Sequence, residues 1–525
     1  MTLIHAGPGN AQRSRGAPAR HRWLTLAVVS IAQFMVVLDG TIVNVALPAV
    51  QRALGFTDGQ RQWVVTAYAL AFGSLLPLGG RIADLCGRKT TFLIGLVGFA
   101  GASALAGAAG DFTMLLAARG VQGAFGALLA PSALSLVTTT FTNTRERAKA
   151  FAVYGSLPGL GGATGLLLGG VLTEYLDWRW TLYINVAFAA VAFVGGALLI
   201  KPTARRHGGT LDIPGIASVS GGLFCLVYGV ANAETHAWSS PRTWCFLVAS
   251  AMLLLLFAWW QTRAEHPVLP LRILLDRDRG ASFAALLIAA AGMFGVFLFL
   301  SYYLEQTTGH SAVATGLAFL PMIFGLTIGA MASARFVVPR VGPKPVVSTG
   351  MGLVAVGLVA MTGLGPHLHY VTGLLPSLAI VGLGLGAVTA PAQEAATLGV
   401  AEQDSGAASA AVNAMTQIGG SIGTALLTTI YTGAVAGYVA GPDPQTPMQV
   451  NATLVGYHTA FRWSAAFFAV GLIVTALLFR RGVPRRRDGE SLTTDAEPVQ
   501  AAARTMTREK RRISSSNAIG RSGRL

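Results

Sequence analysis

Residues 23–48 read WLTLAVVSIAQFMVVLDGTIVNVALP, an apolar run long enough to cross a bilayer and carrying an acid at position 39. A spanning helix needs about 20 apolar residues for a hydrocarbon core of roughly 30 Å, and Trp23 to Leu38 supplies most of that length before Asp39 interrupts it. A charge at membrane depth costs at least about 2.5–3.5 kcal/mol on insertion scales, so where one occurs it faces a partner or a wet cavity. Asp39 is therefore the leading candidate functional residue. The competing reading places it among the headgroups, simply solvated.

The other residues continue in the same vein. The 525-residue chain is 53% hydrophobic and 11% charged, with a mean hydropathy of +0.57, which marks a polytopic membrane protein rather than a soluble domain. A net charge of +16 raises the question of nucleic acid, but the Lys and Arg residues are spread through short loops and tails, which is a topology pattern. Cys86, Cys225 and Cys245 have neither metal nor redox spacing and read as packing residues. The histidines lie in loops without ligand spacing, the serines lack a nucleophile elbow, and there is no phosphate-binding glycine loop. No enzyme, cofactor or metal is expected, and energy has to come from a gradient. The first apolar run is too long for a cleavable signal and reads as a retained span.

Hydropathy predicts fourteen spans, near 23–47, 61–79, 91–109, 112–139, 148–173, 179–200, 213–233, 243–261, 281–304, 313–334, 345–363, 371–391, 406–433 and 459–479. One set of loops holds Arg81, Arg88, Lys89, Arg145, Arg147, Lys149, Arg272, Arg277, Arg279, Arg335, Arg340 and Lys344, while the opposite set holds few basic residues. By the positive-inside rule the basic set and both termini are cytoplasmic. The loop from Gln393 to Asp404 has no Lys or Arg and leaves that rule without support at one position. The Arg-, Ser- and Thr-rich tail from Arg480 reads as disordered, with contact to anionic lipid as a second reading.

The chain also echoes itself. Gly126 to Pro131 (GALLAP) ends the fourth span and Gly386 to Pro391 (GAVTAP) ends the twelfth, while Arg81 to Gly87 before the third span has a faded counterpart in Arg335 to Gly342 before the eleventh. Two signals in the same order argue for two related halves of six helices, with a site expected at their interface. The expected organisation is a cytoplasmic tail over 1–22, a six-helix bundle over 23–200, an inserted helix pair with linkers over 201–280, a second bundle over 281–479 and a basic tail over 480–525.

Several motifs sit on this frame. Gly80-Arg81-Ile82-Ala83-Asp84-Leu85-Cys86-Gly87-Arg88-Lys89 reads as the loop between the second and third spans. There Gly87 permits a tight turn, and Asp84 can meet Arg88 or bridge to a neighbour. The fourth span carries Arg119 in Arg119-Gly120-Val121-Gln122-Gly123-Ala124-Phe125-Gly126. Arg119 lies about 10 Å below one face and Asp39 about 24 Å above the other at 1.5 Å per residue, so the two share a depth. A nearby guanidinium favours an ionised acid and desolvation favours a neutral one, so the balance shifts whenever water is admitted or expelled. In the fifth span Gly161, Gly165 and Gly169, with Gly170 beside them, clear one helix face for close approach by a partner. Asn44, Trp63, Tyr68, Phe125 and Phe297 are candidates for lining a greasy cavity. Glu174, Glu305 and Glu394 sit near helix ends, where solvation is expected, although any of them offers a second proton or cation site.

Here a family resemblance becomes specific. The Gly80–Lys89 segment is similar to the signature of the major facilitator superfamily, and Arg119 to Gly126 resembles its intramembrane arginine motif. Leu38-Asp39-Gly40-Thr41-Ile42-Val43-Asn44-Val45-Ala46-Leu47-Pro48 resembles the hallmark of its fourteen-helix drug:proton antiporter family, and Trp178-Arg179-Trp180, Asn185 and Asp212-Ile213-Pro214-Gly215 fall where that family has them. The fifth-span glycines resemble its exporter motif, departing at Leu166, where a proline commonly follows glycine.

The resemblance implies an all-α membrane protein of two six-helix bundles plus two extra helices. It implies a proton-coupled, monomeric efflux transporter in the plasma membrane for hydrophobic drugs or antibiotics, with small-molecule substrate, protons and lipid as its partners and no nucleic acid. Asp39 and Arg119 would couple the proton, and Gly80, Asp84, Gly87, Arg88 and Lys89 would form a conformational latch. Export of one dedicated metabolite or antibiotic, and a non-transporting sensor or scaffold, are the alternatives.

Overall fold

In lipid, every backbone polar group has to be satisfied within the protein, which leaves the helix as the natural form for runs this apolar. The computed structural model describes residues 19–202, 212–236, 238–265, 267–366, 369–401, 404–439 and 448–482. Fourteen helices among them are long and apolar enough to cross a membrane: α1 (Arg20–Leu54), α2 (Trp63–Cys86), α3 (Arg88–Gly107), α4 (Phe112–Thr140), α5 (Arg145–Tyr175), α6 (Trp180–Leu199), α7 (Ile213–Ala233), α8 (Pro241–Gln261), α9 (Arg277–Thr307), α10 (Val313–Val341), α11 (Pro343–Met361), α12 (Tyr370–Thr397), α13 (Ser405–Val439) and α14 (Ala452–Leu478). The tail from Arg480, read as disordered with lipid contact as a second reading, lies outside the described residues beyond Gly482, and the N-terminal tail does so before Ala19.

The expected spans are all present, but several run further than hydropathy alone indicates. Helix α1 continues through Pro48 to Leu54, and α5 accommodates Pro158. The segment expected as a loop from Gly80 to Lys89 is the last turns of α2 and the first of α3, separated by Gly87 alone, whose φ of +91° is open to glycine. Gly342, at φ +82°, makes the same corner between α10 and α11.

The packing repeats. Helix α1 packs on α4, α5 and α6, α2 on α4, and α3 on α4 and α6; eight positions later, α9 packs on α12, α13 and α14, α10 on α12, and α11 on α12 and α14. Between the two sets, α2 and α4 meet α13, while α10 and α12 meet α5, as two-fold symmetry requires. The sequence echo has its physical reason here, because each echo glycine lets its helix close on an equivalent partner. A Cβ on Gly126 would lie 3.0 Å from Phe72 of α2, and one on Gly386 would lie 2.1 Å from the Leu326 carbonyl of α10. The extra pair stands to one side: α7 packs on α2 and α13, and Trp238 Nε1 donates to Thr429 Oγ1 of α13 at 2.8 Å.

The fifth-span glycines face α1. A Cβ on Gly161 would meet Val37 at 2.8 Å, one on Gly165 would meet Thr41 Oγ1 at 1.9 Å, and one on Gly169 would meet Val45 at 3.0 Å. The cleared face therefore seats α1 against α5, directly behind Asp39. Gly165→Leu is expected to cost roughly 1–3 kcal/mol through overpacking and to lower the thermal aggregation midpoint of the purified protein. Gly101→Leu, where an added Cβ meets nothing within 4 Å, is expected to leave it unchanged. Equal midpoints for the two variants would contradict this packing.

Candidate functional site

Asp39 lies wholly out of contact with solvent, at 0% exposure, inside the first six helices. Its Oδ2 accepts from Arg119 Nη1 of α4 at 2.7 Å. Its Oδ1 accepts from Gln122 Nε2 of α4 and from Asn185 Nδ2 of α6, both at 2.7 Å. Arg119 Nη1 also donates to Gln122 Oε1 at 2.6 Å, its Nε donates to the Val64 carbonyl of α2 at 3.4 Å, and its guanidinium carbon stands 4.5 Å from the centre of the Tyr68 ring. Ser103 of α3 closes the cluster, its Oγ accepting from Gln122 Nε2 at 2.7 Å. Five helices thus converge on one carboxylate, and Arg119, Gln122, Asn185 and Ser103 are buried with it.

Local sequence explains the convergence. Arg119 and Gln122 are three apart on a helix and share a face, while Gly123 lets α2 approach α4, since a Cβ there would lie 2.4 Å from the Tyr68 carbonyl. Towards the end of the bundle opposite the basic loops, an apolar cluster including Ile42, Ala46, Ala106, Leu115, Trp178 and Leu182 covers the site. The charge pair is therefore held in a low-dielectric compartment, where removing one partner costs about 3–5 kcal/mol.

The residues expected to line a cavity do not converge. Tyr68 belongs to the ion-pair cluster, stacked on Phe72 with ring centres 5.6 Å apart. Phe125 fills the place of the missing Gly98 side chain and faces a groove of about 650 Å³ on the flank of α3 and α6, away from the seam between the halves. Trp63 is half-exposed against Tyr228 of α7, and Asn44 is exposed with its Nδ2 donating to the Gly40 carbonyl. Phe297 alone of the five stands between the halves, stacked on Phe319 and in reach of Gly162 on α5.

The segment expected to act as a latch does cross between the halves. Asp84 Oδ1 accepts from the Gly406 amide at 3.0 Å, in the first turn of α13, where helix dipole and free N–H groups favour a carboxylate. Close approach allows it: a Cβ on Gly406 would lie 2.5 Å from the Gly80 carbonyl. Lys89 instead donates to the Ala197 carbonyl of α6 at 2.7 Å, and Arg88 is buried at the start of α3. Further bonds join the halves at this end: Ser135 Oγ to Ser405 Oγ at 2.9 Å, Arg147 Nη2 to Thr397 Oγ1 at 2.8 Å, and Thr389 Oγ1 to the Gly155 carbonyl at 3.3 Å. Glu394, expected to be solvated, is half-buried beside Arg147; Glu174 and Glu305 are exposed.

Sequence reasoning missed two of the partners of Asp39, Gln122 and Asn185, and the Ser103 hydroxyl that both of them reach. Gln122 was legible from its spacing to Arg119, and Asn185 stands out as an amide within an apolar span. Ser103 carries no such signal, since small hydroxyls are ordinary in membrane helices.

Two bundles of six helices related by two-fold packing, with a buried ion pair in one of them, are the architecture of a membrane transporter. A sequence profile of the Major Facilitator Superfamily matches residues 29–424, and the chain belongs to that family. It is 44% identical over 506 residues to the puromycin resistance protein pur8 of Streptomyces alboniger, covering 95% of this chain and 99% of that protein. It is 34% identical to the cephamycin export protein CmcT of Amycolatopsis lactamdurans, over 83% of this chain and 90% of that one. The fold matches the crystal structure of the human organic anion transporter MFSD10 (TETRAN) with a TM-score of 0.61 at 16% identity, across 87% of this chain and all of that one.

Two outcomes follow from this geometry. Arg119→Leu leaves a buried carboxylate without its counterion and is expected to lower the thermal midpoint well below that of the Asp39→Asn, Arg119→Leu double variant, which buries no charge; a double variant no more stable than the single one would contradict the pairing. With the native cysteines replaced by serine, Ser135→Cys with Ser405→Cys is expected to form a disulfide on oxidation and to stop transport until reduced. Full transport by the cross-linked protein would show that the halves need not part there.

Proposed function

We propose that this chain is a proton-coupled exporter that carries a small organic antibiotic out across the plasma membrane, with both termini in the cytoplasm. The observation that carries the proposal is the Asp39 carboxylate, buried among spanning helices with Arg119 as its counterion. Such a group gains or loses a proton only when the surrounding helices move, so proton exchange and rearrangement become one event. One proton crossing 100 mV supplies about 2.3 kcal/mol, enough to sustain roughly a fifty-fold solute gradient.

The latch supports the rocking part of this reading. Contacts of Asp84 with α13 and of Arg147 with α12 hold the halves together at the basic end, and they have to release for the opposite arrangement to form. Relatives named for resistance to, or export of, individual antibiotics favour a dedicated substrate, with puromycin as the first compound to try. The scatter of Asn44, Trp63, Tyr68 and Phe125 away from a common cavity agrees with that narrower reading.

The test is growth of a pump-deficient bacterial host on puromycin and on a panel of unrelated drugs. The wild-type chain is expected to raise tolerance to one scaffold. Asp39→Asn, expressed at the same level in the membrane, is expected to return tolerance to that of the empty vector. Undiminished tolerance in the variant would remove Asp39 from the mechanism, and protection against many unrelated compounds would favour a multidrug exporter.

A further inference from the structure

The amide of Asn185 is satisfied at one end and not at the other. Its Nδ2 donates to Asp39 Oδ1 at 2.7 Å and lies 3.4 Å from Ser103 Oγ, while its Oδ1 is buried with no hydrogen-bond partner. A buried amide oxygen left unpaired costs free energy, and the two ends of an amide have nearly the same shape, one donating and the other accepting.

The other contacts of Asp39 are suited to the ionised acid alone. Arg119, Gln122 and Asn185 all bring N–H donors to the carboxylate. A protonated Asp39 would instead need an acceptor for its new O–H. Arg119 has none to offer. Gln122 is engaged at both ends, its Oε1 by Arg119 and its Nε2 by Asp39 and Ser103, so turning it over would break those bonds and set an amide N–H against the guanidinium. The charged and titratable groups facing the acid are Arg119 from α4 and Tyr68 from α2; α3 and α6 bring the neutral Ser103 and Asn185, and α5 brings glycines.

We infer that Asn185 is a positioning residue that follows the protonation of Asp39, its side-chain amide turning over when the acid gains a proton and so changing from donor to acceptor. In the turned state the acid donates its O–H to Asn185 Oδ1, the Ser103 hydroxyl can donate to the same oxygen, and Nδ2 takes the position that Oδ1 now holds. Asp39 then has a partner on Asn185 in either form without moving Arg119 or Gln122, while the far end of the amide, Oδ1 in one state and Nδ2 in the other, keeps the partnerless position. Because Asn185 is on α6 and Asp39 on α1, the proton is registered on a helix other than its own. The inference rests on the reading of Asp39 as the proton carrier.

The experiment is infrared difference spectroscopy of the full-length protein in lipid, following the carboxylic C=O stretch of a protonated acid through a pH titration. It needs no knowledge of the substrate. Wild type is expected to give a band that Asp39→Asn removes. Asn185→Leu is expected to shift that band to higher frequency, because the acid O–H has lost its acceptor, and to displace its midpoint by about one pH unit, a tenfold change in proton binding. Asn185→Gln is expected to restore part of both, and Asn185→Ala replaces the leucine variant if that does not fold. A band that is lost in Asp39→Asn but keeps its frequency and midpoint in the leucine or alanine variant overturns the role of Asn185 alone. If Asp39→Asn removes no band, the proton-carrier reading fails and this inference fails with it.

Discussion

A carboxylate that accepts three N–H donors and touches no solvent is the constraint around which the first six helices are arranged. Each donor comes from a side chain that has to be held in place, and the holding is done by packing. The α5 glycines press α1 forward, Gly123 draws α2 onto α4, and Tyr68 lies over the Arg119 guanidinium. The pair is stable because both charges are bonded within the cluster. For the same reason it responds to any movement that admits water or separates a donor.

The two halves share an architecture but not a chemistry. The offset between the echo glycines Gly126 and Gly386 places Ala379 and Gly382 where the first half has Arg119 and Gln122. At Gly382 the second half uses the space for backbone contact, with a Cβ there only 2.1 Å from the Met322 carbonyl. The faded corner before α11 likewise has Pro339 where the first half has Asp84. Across the opposite seam the contact is made by a cation, Arg147, near the C-terminal end of α12, where helix carbonyls favour positive charge. Two-fold packing is therefore tied together by a carboxylate at a helix start on one side and a guanidinium at a helix end on the other.

Much of this was legible in the sequence because membrane burial makes polar residues conspicuous. Asp39 and Arg119 each interrupt an apolar run, and helical rise alone puts them at one depth. The glycine spacing of α5 announced a close partner, though not that the partner would be α1. The cavity was harder to read. An aromatic side chain in a span looks the same whether it faces lipid, a neighbouring helix or the seam, and helix rotation, which decides between them, depends on contacts across the bundle. Phe125 turned to the flank and Tyr68 into the ion-pair cluster for that reason. The segment expected to act as a latch was read as a loop, because the polar residues of Gly80 to Lys89 obscure helices that meet at a single glycine.

The central claim is that the proton on Asp39 sets the arrangement of the halves. It is tested most directly by measuring, without any substrate, the distance between spin labels at Ala53 and Gln306, exposed at the ends of α1 and α9 opposite the basic end, as pH is varied in lipid. With the native cysteines replaced, the wild-type distance distribution is expected to shift between two populations across the titration, and that of Asp39→Asn to stay in one. A variant that keeps the full pH-dependent shift would contradict the account.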